Sequence, residues 1–300
     1  MSLRPHPALR PPVKGDGAGV GSWSSVRATP DGVPLLVADP EGYLAQVGDE
    51  ATVPLGALPF EALAHLARYL PHVAAAEGPL RAAVRELLSR HAPPGAALGV
   101  EAGCSVGPDL RALRAVCDEV IAFDLSVAAA RAARALVAGE AVPLPVRVEG
   151  RSFTLGAPLQ LPEAQGVSVV VGSALDPPLH AGVADVVMAI NLVDNVPEPI
   201  NLLGQLDAIA KPGALLLLAS PFSWQDAITA PGEQLGGGTI PGFVALGSPA
   251  ALRAVLRGET PFLPWLDYEI LEAREARWSL RDHARAVFTY DVHLLAARKR

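Results

Sequence analysis

Short apolar runs alternate with helix-like segments between residues 96 and 223. The runs "AALGVEAG", "EVIAFDLS", "VSVVVGSAL", "ADVVMAINLV" and "ALLLLASPF" show no strict apolar–polar alternation, which predicts strands that are covered on both faces. The segments "PDLRALRAVC", "VAAARAARALVAGE" and "PINLLGQLDAIAKPG" predict helices between them. Strands that alternate with helices indicate an α/β fold with a mostly parallel sheet and helices on both faces.

The flanking segments have other patterns. "GVPLLVADPEGYLAQVG" places two apolar runs around the turn signal "DPEG" and predicts a hairpin. "VPLPVRVEGRSFTLGAPLQLP" predicts an inserted ribbon, and the C-terminal 35 residues predict two longer strands at an antiparallel edge of the sheet. We therefore expect three regions: a disordered or loosely ordered Pro/Gly-rich tail over 1–22, a small N-terminal cap over 23–78, and the main domain over 79–300.

Net charge, cysteine content and the lengths of the apolar runs limit the functions that the protein can have. A net charge of −7, with no basic cluster apart from the terminal "ARKR", argues against a nucleic-acid surface as the main activity. The two cysteines, Cys104 and Cys117, are too few for a disulfide framework, and their surroundings show no metal-ligand spacing. The N-terminus lacks the apolar core of a secretory signal, and no apolar run approaches a bilayer span. The expectation is a cytoplasmic protein without a metal or a membrane partner.

The chemistry-bearing residues follow the predicted strands. Gly103 and Gly107 come after the first strand of the main domain, where small residues let the backbone approach a ligand. Asp124 ends the next strand, and an acid about 20 residues after a glycine turn is typical of ribose recognition. The dinucleotide fingerprint G-x-G-x-x-G is absent, which counts against a nicotinamide-dependent oxidoreductase. Glu101 would repel a phosphate but can hold an ammonium group.

These motifs, in this order and spacing over about residues 96–223, resemble those of the class I S-adenosylmethionine-dependent methyltransferases. The resemblance implies a Rossmann-like seven-stranded sheet, with S-adenosylmethionine as the methyl donor. It implies a cofactor site made of Glu101, Gly103, Cys104, Gly107, Asp124, Leu125, Ser173, Ala174 and Asn191. Two positions depart from the family pattern, because Ser105 replaces the middle glycine of the turn and Ser173 replaces an acid near the adenine.

A finer resemblance extends to the mercaptohistidine N-methyltransferases of ovothiol synthesis. It is carried by "NLVDNVPEP", by "SPFSW" before a Gly-Gly turn at Gly236–Gly237, and by "RDHAR" before the last strand. It implies a small-molecule acceptor that is methylated on nitrogen, in an imidazole or amino-acid-like compound. Asn195, Ser220 and Trp224 are then the candidate substrate-binding residues.

Catalytic residues are harder to predict, because methyl transfer depends mostly on positioning and needs a base only when the acceptor must lose a proton. Asp194, His283 and Tyr290 are the candidates; Asp194 is equally suited to cap the helix that follows it. The glycine-rich segment 234–242 is interpreted as a mobile lid. The sequence predicts a small-molecule methyltransferase, with an inactive S-adenosylmethionine-binding regulatory or partner protein as the alternative.

Overall fold

Seven α-helices and eleven strands make up the regular structure of the described residues. The structure is a computed structural model, and it describes residues 6–12, 22–23, 26–75, 78–237 and 246–300. The helices are α1 (Pro40–Val47), α2 (Phe60–Ala75), α3 (Pro79–His91), α4 (Leu110–Arg114), α5 (Val127–Val137), α6 (Pro199–Ile209) and α7 (Ser248–Leu256). The strands are β1 (Arg27–Ala28), β2 (Pro34–Leu35), β3 (Ala96–Ala102), β4 (Cys117–Asp124), β5 (Pro145–Glu149), β6 (Ser152–Leu155), β7 (Val167–Val171), β8 (Ala184–Ile190), β9 (Ala210–Ser220), β10 (Tyr268–His283) and β11 (Ala286–Lys299).

Nine strands form one twisted sheet in the order β1-β2-β7-β4-β3-β8-β9-β11-β10. The five strands β7, β4, β3, β8 and β9 are parallel, whereas β11 runs antiparallel to β9 and β10 antiparallel to β11. The predicted Rossmann-like α/β class is confirmed. The strand count differs from the predicted seven because the short strands β1 and β2 extend the sheet beyond β7, where Leu35 pairs with Val171.

Successive residues of the central strands face opposite sides of the sheet. In β8, Val187 and Ala189 belong to the buried cluster that includes α6 and α7, while Val186 and Met188 belong to the cluster that includes α3. This two-sided burial explains the unbroken apolar runs in the sequence. The chain order reverses beside β3, so the carboxyl ends of β3 and its neighbours enclose a crevice suited to a ligand.

The N-terminal part differs in detail from the prediction. The hairpin expected around "DPEG" is wrong: Asp39 instead caps α1, accepting the Gly42 N–H at 3.0 Å, and Pro40 begins the helix. A shorter hairpin, β1–β2, precedes it. Within the expected tail, residues 6–12 are packed rather than loose, because Leu9 is buried and pairs with Leu179. Residues 1–5 and 13–21 lie outside the described residues.

Helix α2 packs on α5. Leu66 and Leu70 of α2 share one buried apolar cluster with Ala128 and Ala132 of α5, whose small side chains let helices approach closely. The apolar side chains of residues 26–75 thus share their packing clusters with the sheet and its helices. The division between a cap and a main domain at residue 78 stays a prediction.

Two antiparallel strand pairs extend toward α2. The predicted ribbon is present as β5–β6, and the hairpin β10–β11 extends past the carboxyl end of β9, because only residues 293–298 of β11 pair with that strand. Asp282, near the hairpin tip, forms ion pairs with Arg68 of α2 and with Arg147 of β5, the latter at 3.0 Å. One carboxylate therefore links α2, the ribbon and the hairpin, which together we name the cover.

Among the helices of the described part of the chain, none is both long and apolar enough to cross a bilayer. The same residues contain no group of three or more His, Cys, Asp or Glu side chains arranged to hold a metal ion. Both cysteines are free and buried.

Candidate functional site

A cavity of 360 Å³ lies at the carboxyl ends of β3, β4, β7 and β8. It is bounded by these strand ends and by residues of α2, α3 and β10. Eight of the nine predicted cofactor residues line it: Glu101, Gly103, Cys104, Asp124, Leu125, Ser173, Ala174 and Asn191. Asn195, predicted to bind substrate, also lines it and donates its side-chain amide to the Asn191 carbonyl oxygen at 3.0 Å.

The turn after β3 shapes one wall of the cavity. Gly103 adopts a φ of 70°, and a Cβ atom there would lie 2.7 Å from Leu192. This position therefore requires glycine. The turn is held to β4 by the Gly103 and Cys104 N–H groups, which both donate to the Phe123 carbonyl oxygen.

Gly107 serves the turn rather than the cavity. It does not line the cavity, and a Cβ atom there would lie 2.6 Å from Leu110. Its φ of 77° leads the chain into α4. The structure shows that the residue allows a left-handed turn and close packing, and its predicted place in the cofactor site stays a prediction.

Asp124 is held rigidly at the end of β4. One carboxylate oxygen accepts the Ser105 N–H at 2.7 Å, and the other accepts the Ser126 N–H at 2.8 Å. The remaining lone pairs of this carboxylate are available on the cavity side, where hydroxyl groups of a ligand can donate to them.

A buried charged cluster lies at the end of β3. Glu101 is 2% exposed, and burial, with a smaller contribution from nearby Asp124, raises the pKa of its carboxyl to about 8 in spite of the opposing charge of Arg81. Arg81 of α3 forms an ion pair with Asp109, and burial lowers the pKa of Arg81 to about 10. None of the described residues provides a hydrogen-bond partner for Glu101 Oε2 or Arg81 Nε. The cluster thus has an unpartnered acceptor and an unpartnered donor.

Asp194 and Ser220 are brought together, but not at the cavity. Asp194 is 1% exposed and accepts the Ser220 hydroxyl at 2.7 Å and the Ser223 N–H at 2.8 Å. These bonds tie the loop after β8 to the end of β9. Neither residue is among those that line the cavity, and the predicted catalytic role of Asp194 and substrate-binding role of Ser220 stay predictions.

The other three candidates also lie away from the cavity lining. Trp224 packs against Phe222 and donates its indole N–H to Ser248 at 3.2 Å. His283 is at the β10–β11 turn, where its Nδ1 accepts the Arg285 N–H. Tyr290 lies behind Trp278, with ring centroids 5.5 Å apart. The substrate-binding role of Trp224 and the catalytic roles of His283 and Tyr290 therefore stay predictions. Of the predicted lid, residues 238–242 lie outside the described residues.

A family model described as a methyltransferase domain matches residues 67–258, which is more than half of the chain and includes the whole cavity wall from β3 to the end of β9. The chain belongs to the methyltransferase-domain family. It is an enzyme that uses S-adenosylmethionine as the methyl donor.

Several solved methyltransferases are similar in structure. One from Aquifex aeolicus is 14% identical, covering 71% of this chain and 88% of its own, with a TM-score of 0.43. One from Methanosarcina mazei is 16% identical, covering 71% and 96%, with a TM-score of 0.45. Magnesium protoporphyrin IX methyltransferase from Synechocystis, solved with bound S-adenosylhomocysteine, is 16% identical, covering 73% and 81%, with a TM-score of 0.44. A search of curated proteins finds no match to this methyltransferase.

The cover contributes three cavity residues that sequence reasoning missed. His65 and Tyr69 of α2 and Trp278 of β10 line the methyltransferase cavity. His65 Nε2 lies 3.0 Å from the Ser105 hydroxyl oxygen, and burial lowers the pKa of its imidazole, so the ring is neutral at pH 7. Their positions in the sequence do not indicate that they line the cavity, because these residues approach β3 only through tertiary packing.

Arg81 was also missed, although a signal for it exists. The buried positions of α3 recur at helical spacing as Leu80, Ala83, Val84 and Leu87, and Arg81 is buried next to this apolar face. A charged residue beside the buried stripe of a helix that leads into the first strand of the sheet marks a paired or ligand-binding group.

Proposed function

We propose that this enzyme transfers the methyl group of S-adenosylmethionine to a nitrogen atom of a small molecule, with the cofactor bound across the ends of β3, β4, β7 and β8. The observation that carries the proposal is the buried Glu101 carboxyl with its unpartnered Oε2, beside the unpartnered Nε of Arg81. A buried polar atom without a partner is costly, and a ligand with complementary groups removes the cost.

The methionine end of the cofactor fits this cluster. An α-ammonium group would donate to Glu101, and an α-carboxylate would accept from Arg81 Nε, so both orphaned atoms would gain partners of opposite charge. Asn191, whose Oδ1 likewise has no partner among the described residues, adds an acceptor at the end of β8.

The nucleoside end fits the neighbouring strand ends. Asp124 would accept the ribose hydroxyls with the lone pairs left free by Ser105 and Ser126. Ser173 and Ala174, after β7, would lie beside the adenine, and Leu125 would cover one face of it. The Ser173 hydroxyl oxygen already accepts the Leu175 N–H at 3.2 Å, which orients it.

S-Adenosylmethionine supplies an electrophilic methyl carbon on a sulfonium, and that carbon–sulfur bond breaks as the acceptor nitrogen bonds to the methyl group. The contribution of the protein is to hold donor and acceptor in line and to exclude water. The cover over a 360 Å³ cavity supports a small acceptor rather than a polymer. The resemblance of "NLVDNVPEP", "SPFSW" and "RDHAR" to the mercaptohistidine N-methyltransferases supports nitrogen in an imidazole or amino-acid-like compound.

The test combines binding and turnover. We expect S-adenosylmethionine and S-adenosylhomocysteine to bind the wild type in calorimetry, and Glu101→Gln to weaken both about 10- to 100-fold, the equivalent of a charged hydrogen bond. Glu233→Gln, at an exposed position, is the matched control and should bind as the wild type does. Release of S-adenosylhomocysteine is then measured with small imidazoles, amino acids and amines. Absence of binding to either cofactor form would overturn the proposed site.

A further inference from the structure

A run of aromatic rings connects α2 to the hairpin β10–β11 along the cover. The Tyr69 ring lies 4.5 Å from the His65 ring and 6.3 Å from the Trp278 ring, as measured between centroids. Tyr290 supports Trp278 from behind at 5.5 Å. Because His65, Tyr69 and Trp278 line the cavity while Tyr290 does not, the run presents three rings to a ligand and is held in place by a fourth.

Trp278 carries an unused donor. The residue is 7% exposed, and no described residue accepts a hydrogen bond from its indole Nε1. Buried tryptophan N–H groups generally find an acceptor. Since Trp278 lines the cavity, an acceptor atom on a bound molecule would supply the missing partner.

The rings of the aromatic wall carry no charge of their own. Burial keeps His65 neutral, and its Nε2 is engaged with Ser105. Arg81, the cation that lines the same cavity, is paired with Asp109. Asp124 lines the same cavity, and flat aromatic faces favour stacking of a planar group, whether that group is neutral or cationic.

We propose that Tyr69 and Trp278 form the acceptor subsite of the methyltransferase, and that it takes a planar aromatic or heteroaromatic ring with an oxygen or nitrogen acceptor directed at Trp278 Nε1. His65 bounds the edge of the subsite, and Tyr290 is a positioning residue that holds the indole. This inference rests on the proposed function, because it assigns the Glu101, Arg81 and Asp124 end of the cavity to the cofactor.

The test uses two probes that differ only in ring shape. Benzamide is planar and cyclohexanecarboxamide is puckered, and both carry the same amide acceptor. With the protein saturated with S-adenosylhomocysteine, we expect calorimetry or ligand-observed NMR to show benzamide binding at least tenfold more tightly. Trp278→Phe keeps a ring and deletes the donor, so benzamide affinity should fall at least fivefold while the Kd for S-adenosylhomocysteine stays within twofold. Trp265→Phe, at a residue 67% exposed, is the matched control.

Each contrary result has its own meaning. Equal binding of the two probes to the wild type, or no binding of benzamide, overturns the subsite without any variant having to fold. Unchanged benzamide affinity in Trp278→Phe overturns the role of the indole N–H. A tenfold loss of S-adenosylhomocysteine affinity in Trp278→Phe would show that the indole serves the cofactor, which overturns the subsite and preserves the proposed function. Failure of the wild type to bind S-adenosylhomocysteine would overturn both.

Discussion

The imidazole of His65 and the hydroxyl of Ser105 are hydrogen-bonded at 3.0 Å, and this contact joins α2 to the turn after β3. Ser105 has a φ of 48°, in the left-handed region, and its N–H is donated to Asp124. Ser105 is the position at which the resembling family has a glycine. Here the side chain joins the cover to the turn after β3, and the backbone keeps the conformation that glycine adopts without strain.

A pair of substitutions separates these two properties of Ser105. Ser105→Ala loses the hydrogen bond and keeps the left-handed backbone, so we expect it to lower the free energy of unfolding by about 1 kcal/mol. Ser105→Gly also loses the bond but relieves the backbone, so it should be about 1 kcal/mol more stable than Ser105→Ala. Urea denaturation measures both differences. Equal stability of the two variants would contradict a left-handed residue at this position.

Glu101 should release a proton when the cofactor binds. At pH 7 its carboxyl is mostly protonated in the free protein, because burial raises its pKa to about 8. A bound ammonium group favours the ionised form and lowers that pKa, so binding of S-adenosylmethionine should release close to one proton at pH 7. Calorimetry in buffers of different ionisation enthalpy counts the protons. Glu101→Gln should release none from this position, and an unchanged count would contradict the proposed contact.

The half-buried imidazole of His72 should lower the free energy of unfolding as the pH falls below 6.5. Burial next to Trp278, with a smaller contribution from Arg81, lowers the pKa of His72 from 6.5 to about 4. Between these two values the unfolded chain binds the proton and the folded chain does not, so the free energy of unfolding falls as pH falls from 6.5 to 4. His72→Gln should flatten this dependence in denaturation curves taken across the window. His180→Gln, at an exposed position, should leave the slope as it is in the wild type.

Asp282 should stabilise the cover. Asp282→Asn removes the charge that pairs with Arg68 and Arg147 at a side chain that is only 13% exposed. We expect a loss of about 1–3 kcal/mol in unfolding free energy, the range for hydrogen bonds to charged groups. Asp291→Asn, on the same hairpin, removes a pair with Arg277 at a 74% exposed side chain and should change stability by less than about 0.5 kcal/mol. Similar losses in the two variants would contradict a specific role for Asp282.

The central sheet could be predicted because its apolar runs are long and local. A local apolar run predicts each of the buried strands β3, β4, β7, β8 and β9 without reference to the rest of the chain. The order of strands and helices then indicates the fold class. The segment at Asp39 shows the limit of this approach. The sequence "DPEG" is compatible with a turn and with the start of a helix, and the side-chain cap from Asp39 stabilises the helix start. The additional pair β1–β2, two residues per strand, is too short to produce a periodic signal.

The residues of the site likewise fall into two groups: those that the sequence indicates and those that only the tertiary structure brings together. Glu101, Gly103 and Asp124 follow predicted strands directly, so topology alone brings them to one edge of the sheet. His65 and Trp278 lie 213 residues apart in the sequence and reach the cavity only because α2 and the hairpin fold over it. Asp194 shows a related difficulty, because a carboxylate after a strand can face a ligand or bind the next loop, and in the structure it accepts the Ser220 hydroxyl and the Ser223 N–H.

The three pieces of the cover enter the chain at separate places: before β3, between α5 and β7, and after α7. None of them interrupts the hydrogen-bonded ladder of the parallel strands, and they meet one another through the Asp282 ion pairs and through ring contacts such as Phe60–Phe153 and Tyr69–Trp278. Exchange of the β5–β6 or β10–β11 segment therefore leaves the order and pairing of the parallel strands unchanged, whereas exchange of α2 also removes the His65 contact to Ser105. Evolution, or an engineer, can vary the wall that the cover adds to the cavity while the five parallel strands keep their pairing.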